Sequence, residues 1–227
     1  MTGGSAPGQL PGPASSLGPR FVRLWAAFTA TNLADGLSLT AFPLLAVGLT
    51  DDARLVALVT VFRFVPFVLV GLPAGVLLDR FDRRRIAVLA QLGRAAAVGL
   101  LAIALAADRG SIALVIAIAF AVGVGEVLTD GGLPALVREL VERDQLELAN
   151  SRFSATQTVS NIFVGPPLGA LLFEIETAAP FALSVLLFIG ATVSLSRIPG
   201  QFRAVAADAE ADGVSVDGAS VDGVSVD

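Results

Sequence analysis

Five charged residues lie within long apolar stretches of the sequence, and their side chains are the ones able to do chemistry there. They are Asp35, Arg63, Arg94, Glu126 and Asp130. The chain contains no Cys, His or Tyr, so carboxylates and hydroxyls are the groups left to handle protons, and a thiolate or imidazole metal site is excluded. Charges in an apolar setting must pair or face water. The pattern therefore predicts ion pairing, gating or proton transfer, and an enzyme is not expected.

The spacing of these charges along helices predicts which of them meet. Counting about 1.5 Å per residue from one membrane boundary places Asp35 about 17 Å deep, Arg63 about 22 Å and Arg94 about 15 Å. Asp35 and Arg63 are therefore expected to pair, either as a structural lock between two helices or as a gate or proton site. Arg94 is expected to be a packing partner for a carboxylate. Glu126 and Asp130 stand four apart on one helix face, where like charges repel and one proton can be shared, which favours proton coupling.

Three neutral polar residues complete the candidate site. Asn32, Gln157 and Asn161 could hydrogen-bond to a substrate in a cavity, or bond only between helices.

The elements that position these side chains are six apolar stretches. Of 227 residues, 55% are hydrophobic and 15% charged, and the mean hydropathy is +0.79, beyond the range of ordinary soluble domains. Each stretch is close to the ~20 residues that cross a bilayer. The sequence therefore predicts an all-α integral membrane protein with six transmembrane helices, at 24–48, 55–78, 86–106, 111–134, 153–173 and 178–196.

Arginine placement predicts the orientation, because basic residues in short loops stay on the cytoplasmic side. With a cytoplasmic N-terminus, two arginines outside the spans, Arg54 and Arg109, are external and eleven are internal. Both termini are therefore expected in the cytoplasm of a cell whose plasma membrane holds the protein. The eleven are Arg20, Arg23, Arg80, Arg83, Arg84, Arg85, Arg138, Arg143, Arg152, Arg197 and Arg203.

Composition divides the chain into three parts. Residues 1–19 are rich in Gly, Pro and Ser and are expected to form a disordered arm without the features of a signal peptide. Residues 20–199 form the six-helix transmembrane domain. Residues 200–227 end in the repeated unit DGVSV, DGASV, DGVSV, and this acidic low-complexity tail is expected to be disordered.

An internal repeat relates the first three helices to the last three. The pattern G-x-P-x-G-x-L-L occurs at 71–78 and again at 165–172, a shift of 94, and the run LADG at 33–36 resembles LTDG at 128–131, a shift of 95. Because three is odd, the two triplets must have opposite membrane orientations. The fold predicted is thus a 3+3 inverted repeat, with chance recurrence of common membrane residues as the alternative.

The connection between helices two and three, GVLLDRFDRRR at 75–85, resembles the signature G-x-x-x-D-R-x-G-R-R of the major facilitator superfamily. Asp82 replaces the second Gly of that pattern, so the tight turn must be made differently. The alternative is a simple cytoplasmic anchor. The signature residues are Gly75, which would permit close helix approach, Asp79, Arg80, Arg83 and Arg84.

Helix five carries GPPLGA at 165–170, similar to the G-P-x-x-G-G element of proton-coupled exporters in the same superfamily. Gly165, Pro166 and Gly169 match it, whereas Ala170 replaces the last Gly and Asn161 occupies an earlier position where Gly is usual. A structural bend alone would also use these residues. The resemblance favours export over import.

From Leu24 to Pro199 the chain resembles the N-terminal six helices of the exporter-like branch that includes siderophore and drug efflux proteins. This implies proton-coupled efflux of a small molecule without a cofactor, in lipid, by a half unit that needs a second six-helix half. That half would be a second copy or a separately encoded chain, and no nucleic-acid partner is expected. The alternative is a truncated, inactive product of a broken gene.

Overall fold

The structure, a computed structural model, describes residues 17–200 and 202, and all its regular elements there are helical. A 3₁₀ turn at Arg143–Gln145 precedes α6, and a π-helical segment at Thr158–Val164, here called the π segment, joins α6 to α7. The eight α-helices are α1 Pro19–Leu49, α2 Ala53–Leu69, α3 Gly71–Arg80, α4 Arg83–Ala106, α5 Ile112–Leu140, α6 Leu146–Gln157, α7 Gly165–Ile175 and α8 Ala179–Ser196.

The predicted arm and tail lie largely outside the described residues. Inside them, α1 begins at Pro19, Leu17 is buried beside it, and Phe202 is buried beyond α8.

Six apolar spans result, as expected from the sequence. Five helical stretches are each long and apolar enough to cross a membrane: α1, α4, α5, α8 and the continuous run Arg143–Ile175. The sixth is α2 with α3, bent by 49° at the break between them. The all-α membrane fold is confirmed, although α1 and the fifth span begin 5 and 10 residues earlier than the apolar stretches do.

The repeated pattern begins a new α-helix at equivalent places in the two triplets. In the second span α3 starts at Gly71, and in the fifth span α7 starts at Gly165 after the π segment. These glycines are the first residues of the repeated pattern. Each is followed within two positions by a proline, which lacks the N–H needed to continue the preceding helical bonding. The repeat thus marks a change of helix at the same register in both triplets: a 49° bend in the second span and the end of the π segment in the fifth.

Helix packing has the symmetry that the repeat predicts. In the first triplet α1 packs against α7 and α8, and in the second α5 packs against α2 and α4. The repeat relates α1 to α5, the second span to the fifth, and α4 to α8. Exchanging these related spans converts the α1 contacts into the α5 contacts and leaves the α4–α8 contact unchanged. The 3+3 arrangement therefore exists in the packing as well as in the sequence.

Two apolar clusters form the core, one towards each end of the bundle. The first includes Phe21, Phe28, Phe153 and Ile198 and lies at the end where α1 begins. We call this the Arg-rich end, because Arg20, Arg80, Arg85, Arg138 and Arg197 lie there. The second cluster includes Phe42, Val98, Phe181 and Phe188. Between the clusters lies a layer of buried polar side chains, here called the polar layer: Thr31, Asp35, Arg63, Gln91, Arg94 and Glu126.

Candidate functional site

Four charges of the polar layer form a chain of alternating sign. Arg94 of α4 donates from Nη2 to Oδ1 of Asp35 in α1. That Oδ1 lies 3.9 Å from Nη2 of Arg63 in α2, and the same Nη2 donates to Oε2 of Glu126 in α5 at 3.0 Å. The order is Arg94, Asp35, Arg63, Glu126, and we call it the charge chain. It links four spans near the middle of the bundle.

Burial makes the charge chain strongly coupled. All four side chains are at most 9% exposed, so each charge has lost most of its water and depends on its neighbours. The formal charges sum to zero, and the flat guanidinium of Arg94 also lies over the ring of Phe188, 4.2 Å from its centroid. Removing any one charge therefore leaves another without compensation.

The two arginines are not fully satisfied by these contacts. In the part of the chain that the structure describes, Nε and Nη1 of both Arg63 and Arg94 are buried without a hydrogen-bond partner. Arg63 thus has spare donors while it stands between two carboxylates. This arrangement allows its partner to change at little geometric cost.

The sequence-predicted pair of Asp35 and Arg63 is present, but it is the longest link of the chain. Each residue has a nearer partner, Arg94 for Asp35 and Glu126 for Arg63. The depth estimate placed the right residues in one layer, whereas the rotation of each helix about its axis selected the partners.

Glu126 and Asp130 do not share a hydrogen bond in the described residues, and the sharing of a proton between them stays a prediction. Glu126 turns to Arg63, whereas Asp130, one helical turn nearer the Arg-rich end, is exposed and makes no ion pair with a described residue. The two carboxylates are therefore differentiated by their surroundings: one is paired and buried, and the other is accessible.

The neutral polar candidates do not assemble into one cavity. Asn32 donates to the Phe28 carbonyl of its own helix at 2.9 Å, Gln157 is exposed, and Asn161 is half-buried in the π segment. The structure instead pairs Gln91 of α4 with the hydroxyl of Thr31 in α1. Sequence reasoning missed this pair, although both residues lie one helical turn before members of the charge chain.

The signature loop keeps its charges in ordered contacts at the Arg-rich end. Arg83 donates to the Leu78 carbonyl at 3.2 Å, to Asp79 at 3.3 Å and to Glu139 at 3.5 Å, which ties α3 to the ends of α4 and α5. Arg84 donates to the Ile198 carbonyl beyond α8, and Arg80 is exposed. The expected close approach at Gly75 is absent among the described residues, because a Cβ there would meet nothing within 4 Å.

Asp82, which stands where the family pattern has Gly, caps α4 and binds the segment that follows α8. Its φ is −62°, so no glycine is required at this position. Its Oδ1 accepts from the Arg85 N–H at 3.1 Å and caps α4. Its Oδ2 accepts from the Phe202 N–H at 3.4 Å, and the Phe202 carbonyl accepts from the Arg83 N–H at 3.0 Å. Asp82 therefore ties the segment leaving α8 to the signature loop.

The exporter-like element at 165–170 holds α7 against α1 at backbone distance. A Cβ on Gly165 would lie 2.5 Å from the Gly36 Cα, and one on Gly169 would lie 2.7 Å from the Leu37 carbonyl oxygen. Pro166 lies in the first turn of α7, directly after the π segment. These residues act here in packing, next to Asp35 on α1.

The sequence model of the Major Facilitator Superfamily matches residues 24–216, most of the chain. The chain belongs to the Major Facilitator Superfamily. As a superfamily member it is a multi-span membrane protein of a transport family. This membership explains its signature loop and its 3+3 packing. Among the described residues, no group of three or more His, Cys, Asp or Glu could hold a metal ion.

Three curated relatives place the chain among superfamily members named for efflux. Macrolide efflux protein A of Streptococcus pyogenes is 28% identical over 183 residues, covering 79% of this chain and 45% of the relative. Multidrug efflux pump Tap of Mycolicibacterium fortuitum is 28% identical over 216 residues, covering 87% and 50%. Macrolide efflux protein A of Enterococcus faecalis is 31% identical over 150 residues, covering 65% and 46%. The chain thus spans about half the length of the curated relatives it matches.

Proposed function

We propose that this chain is one six-helix half of a secondary transporter that exports a small molecule by alternating access, coupled to protons. The observation that carries the proposal is the buried charge chain, in which Arg63 stands between two carboxylates on different helices. Membership of a transport family and relatives named as macrolide and multidrug efflux proteins support export and suggest amphiphilic drugs as substrates.

Protonation of Glu126 would change the partner of Arg63. A neutral Glu126 no longer compensates the guanidinium, whose remaining acidic neighbour is Asp35 at 3.9 Å. Arg63 then moves towards α1 and away from α5. Because α2 continues through the bend into α3 and the signature loop, this movement is transmitted to the Arg-rich end.

Asp130 provides the route by which the proton leaves Glu126. Its carboxylate is exposed and unpaired among described residues, one turn from Glu126 on α5 and nearer the Arg-rich end. It accepts the proton from Glu126 through water, since no direct hydrogen bond joins the two groups, and releases it on the cytoplasmic side, as export driven by proton entry requires. The cycle closes when Arg63 pairs again with the deprotonated Glu126.

The complete transporter requires a second six-helix half, which is either a second copy of this chain or a separately encoded one. The transmembrane domain, 20–199, is oriented with both termini in the cytoplasm, as the arginine distribution favours. The Arg-rich end then faces the cytoplasm, and Gly75 lies on a surface that remains open for the other half.

The test of this proposal is proton-driven transport in inside-out vesicles from cells that express the chain, with and without a candidate second half. Uptake of a radiolabelled macrolide and of ethidium is measured with an imposed pH gradient and, separately, as substrate exchange without a gradient. Glu126→Gln should abolish gradient-driven uptake while exchange persists, because the carboxyl that binds the proton is gone but the cavity remains.

Glu174→Gln is the matched control, because Glu174 is exposed on α7 and has no ion pair among described residues. It should leave both assays unchanged. Gradient-driven uptake that survives Glu126→Gln would refute coupling through this residue. If no uptake occurs with any second half, the transport proposal itself fails.

A further inference from the structure

A large groove on the side of the bundle belongs neither to the charge chain nor to the signature loop. It lies between α1, α6, the π segment and α8 and has a volume of about 700 Å³, within the ~300 to 1,000 Å³ typical of ligand sites. Its lining is mainly apolar and includes Val22, Trp25, Leu33, Val159 and Leu187.

The arrangement of the helices explains the shape of the groove. Towards the far end of the fifth span α7 contacts α8, whereas no substantial contact joins α6 to α8 in the described residues. The fifth and sixth spans therefore separate towards the Arg-rich end, with α1 as the floor between them. A wedge that is open sideways within an apolar span faces the hydrocarbon of the bilayer.

The mouth of this groove carries a fixed aromatic ring and an uncompensated cation. The indole N–H of Trp25 donates to Oγ1 of Thr156 at 2.7 Å, which holds the ring across α1 and α6. The guanidinium carbon of Arg152 lies 5.8 Å from the centroid of that ring. Arg152 is exposed and forms no ion pair within the described part of the chain.

We propose that this groove binds one anionic phospholipid, with an acyl chain between α1 and α6 and its phosphate paired with Arg152. The chemistry fits each part of the lipid. The apolar wedge accommodates the acyl chain, Trp25 lies at the depth where indoles favour the headgroup boundary, and Arg152 supplies a positive charge for the phosphate. Arg23, whose Nη1 donates to the Arg197 carbonyl at 2.9 Å, adds positive charge on the α8 side. The site is independent of whether the chain transports anything.

The single tryptophan of the chain makes the site directly observable, because Trp25 lines the groove. The full chain is reconstituted in nanodiscs of unlabelled phosphatidylcholine with small fractions of lipid brominated on the acyl chain. Quenching of Trp25 emission is recorded for brominated phosphatidylglycerol and, separately, for brominated phosphatidylcholine. A site predicts saturating quenching at low mole fraction and a roughly fivefold preference for the anionic lipid, as one arginine near the surface supplies.

Two variants separate the site from general membrane electrostatics. Arg152→Gln should remove the preference, and Arg152→Lys should retain most of it. Arg143→Gln, the same charge change on the short turn before α6 and outside the groove lining, should leave the preference intact. Equal quenching by the two lipids in the unmodified chain, or equal losses in Arg152→Gln and Arg143→Gln, would overturn the proposal.

Discussion

At the scale of single residues, each ion of the charge chain is compensated by its neighbours in the chain. Arg94 is fully buried, with Asp35 as its acidic partner and the Phe188 ring on its face. In such a place the desolvation cost of each ion is offset only by its partners, so neutral pairs of similar shape would be about as stable. Retaining four charges therefore points to a use for them beyond stability, in keeping with exchange of the Arg63 partner.

This dependence predicts a large loss of stability when one charge is removed. Asp35→Asn leaves Arg94 buried and uncompensated, and we expect a loss of about 3 to 5 kcal/mol. Unfolding of purified protein in mixed detergent micelles measures it. The control Asp51→Asn, at an exposed position between α1 and α2, should stay within about 0.5 kcal/mol of the unmodified chain.

Adding Arg94→Gln to Asp35→Asn should recover part of the loss, because both members of the pair are then neutral. Strictly additive losses would mean that the two residues are not coupled and that the hydrogen bond between them has little energetic weight.

Sequence reasoning could identify the members of the site but not their contacts. Counting residues along a helix gives depth, and depth placed Asp35, Arg63 and Arg94 in one layer. It gives no rotation about the helix axis, which is set by packing such as that of Phe42 on Phe181. The partner of Arg63 and the separation of Glu126 from Asp130 therefore could not be derived from the sequence.

At the scale of helices, the repeated pattern begins a new α-helix in the second and fifth spans, but its first glycine has different surroundings in the two. A Cβ on Gly165 would contact the backbone of Gly36, which cannot move aside, whereas a Cβ on Gly71 would meet nothing within 4 Å. The same sequence element thus supplies a tight helix crossing in one triplet and an open surface in the other.

The difference predicts unequal effects of the same substitution at two repeat-related positions. Gly165→Ala should destabilise the protein by about 1 to 3 kcal/mol, because it forces α7 away from α1. Gly71→Ala should be neutral or slightly stabilising, since alanine has the higher helix propensity. Thermal unfolding of both variants in the same detergent measures the two effects. A loss for Gly165→Ala no larger than that for Gly71→Ala would show that α1 and α7 do not cross at backbone distance.

The six spans were predictable because apolar length is a strong signal. The Gly-Pro pattern suggested a bend in helix five, whereas the 49° bend lies between α2 and α3. The π segment was not predictable, since Thr158–Val164 carries no residue type that favours i→i+5 bonding over ordinary α-helix. A Cβ on Gly36 would lie 2.7 Å from the Ser160 carbonyl oxygen and 2.8 Å from that of Asn161, a tertiary contact that the sequence does not reveal. The α4 cap by Asp82 was likewise hidden, because the family pattern suggested glycine.

At the scale of the whole molecule, the charge chain joins the two triplets of the inverted repeat. Arg94 and Asp35 both belong to the first triplet, whereas Arg63 reaches across to Glu126 in the second. Loss of that one link would remove the ion pair between the triplets, while the packing of α1 on α7 and α8 and of α5 on α2 and α4 still holds them together. The two ends of the bundle differ sharply in charge, because the arginines gather at one of them.

The proposed orientation rests on that difference and can be measured simply, because the chain has no cysteine of its own. Asp144→Cys lies in the turn before α6 at the Arg-rich end, and Asp51→Cys lies between α1 and α2 at the opposite end; both positions are exposed. Since arginine-rich ends stay in the cytoplasm, a membrane-impermeant maleimide added to intact cells should label Asp51→Cys and spare Asp144→Cys. Permeabilised cells, in which both should react, control for accessibility. The reverse labelling would place the termini outside and would overturn the proposed orientation.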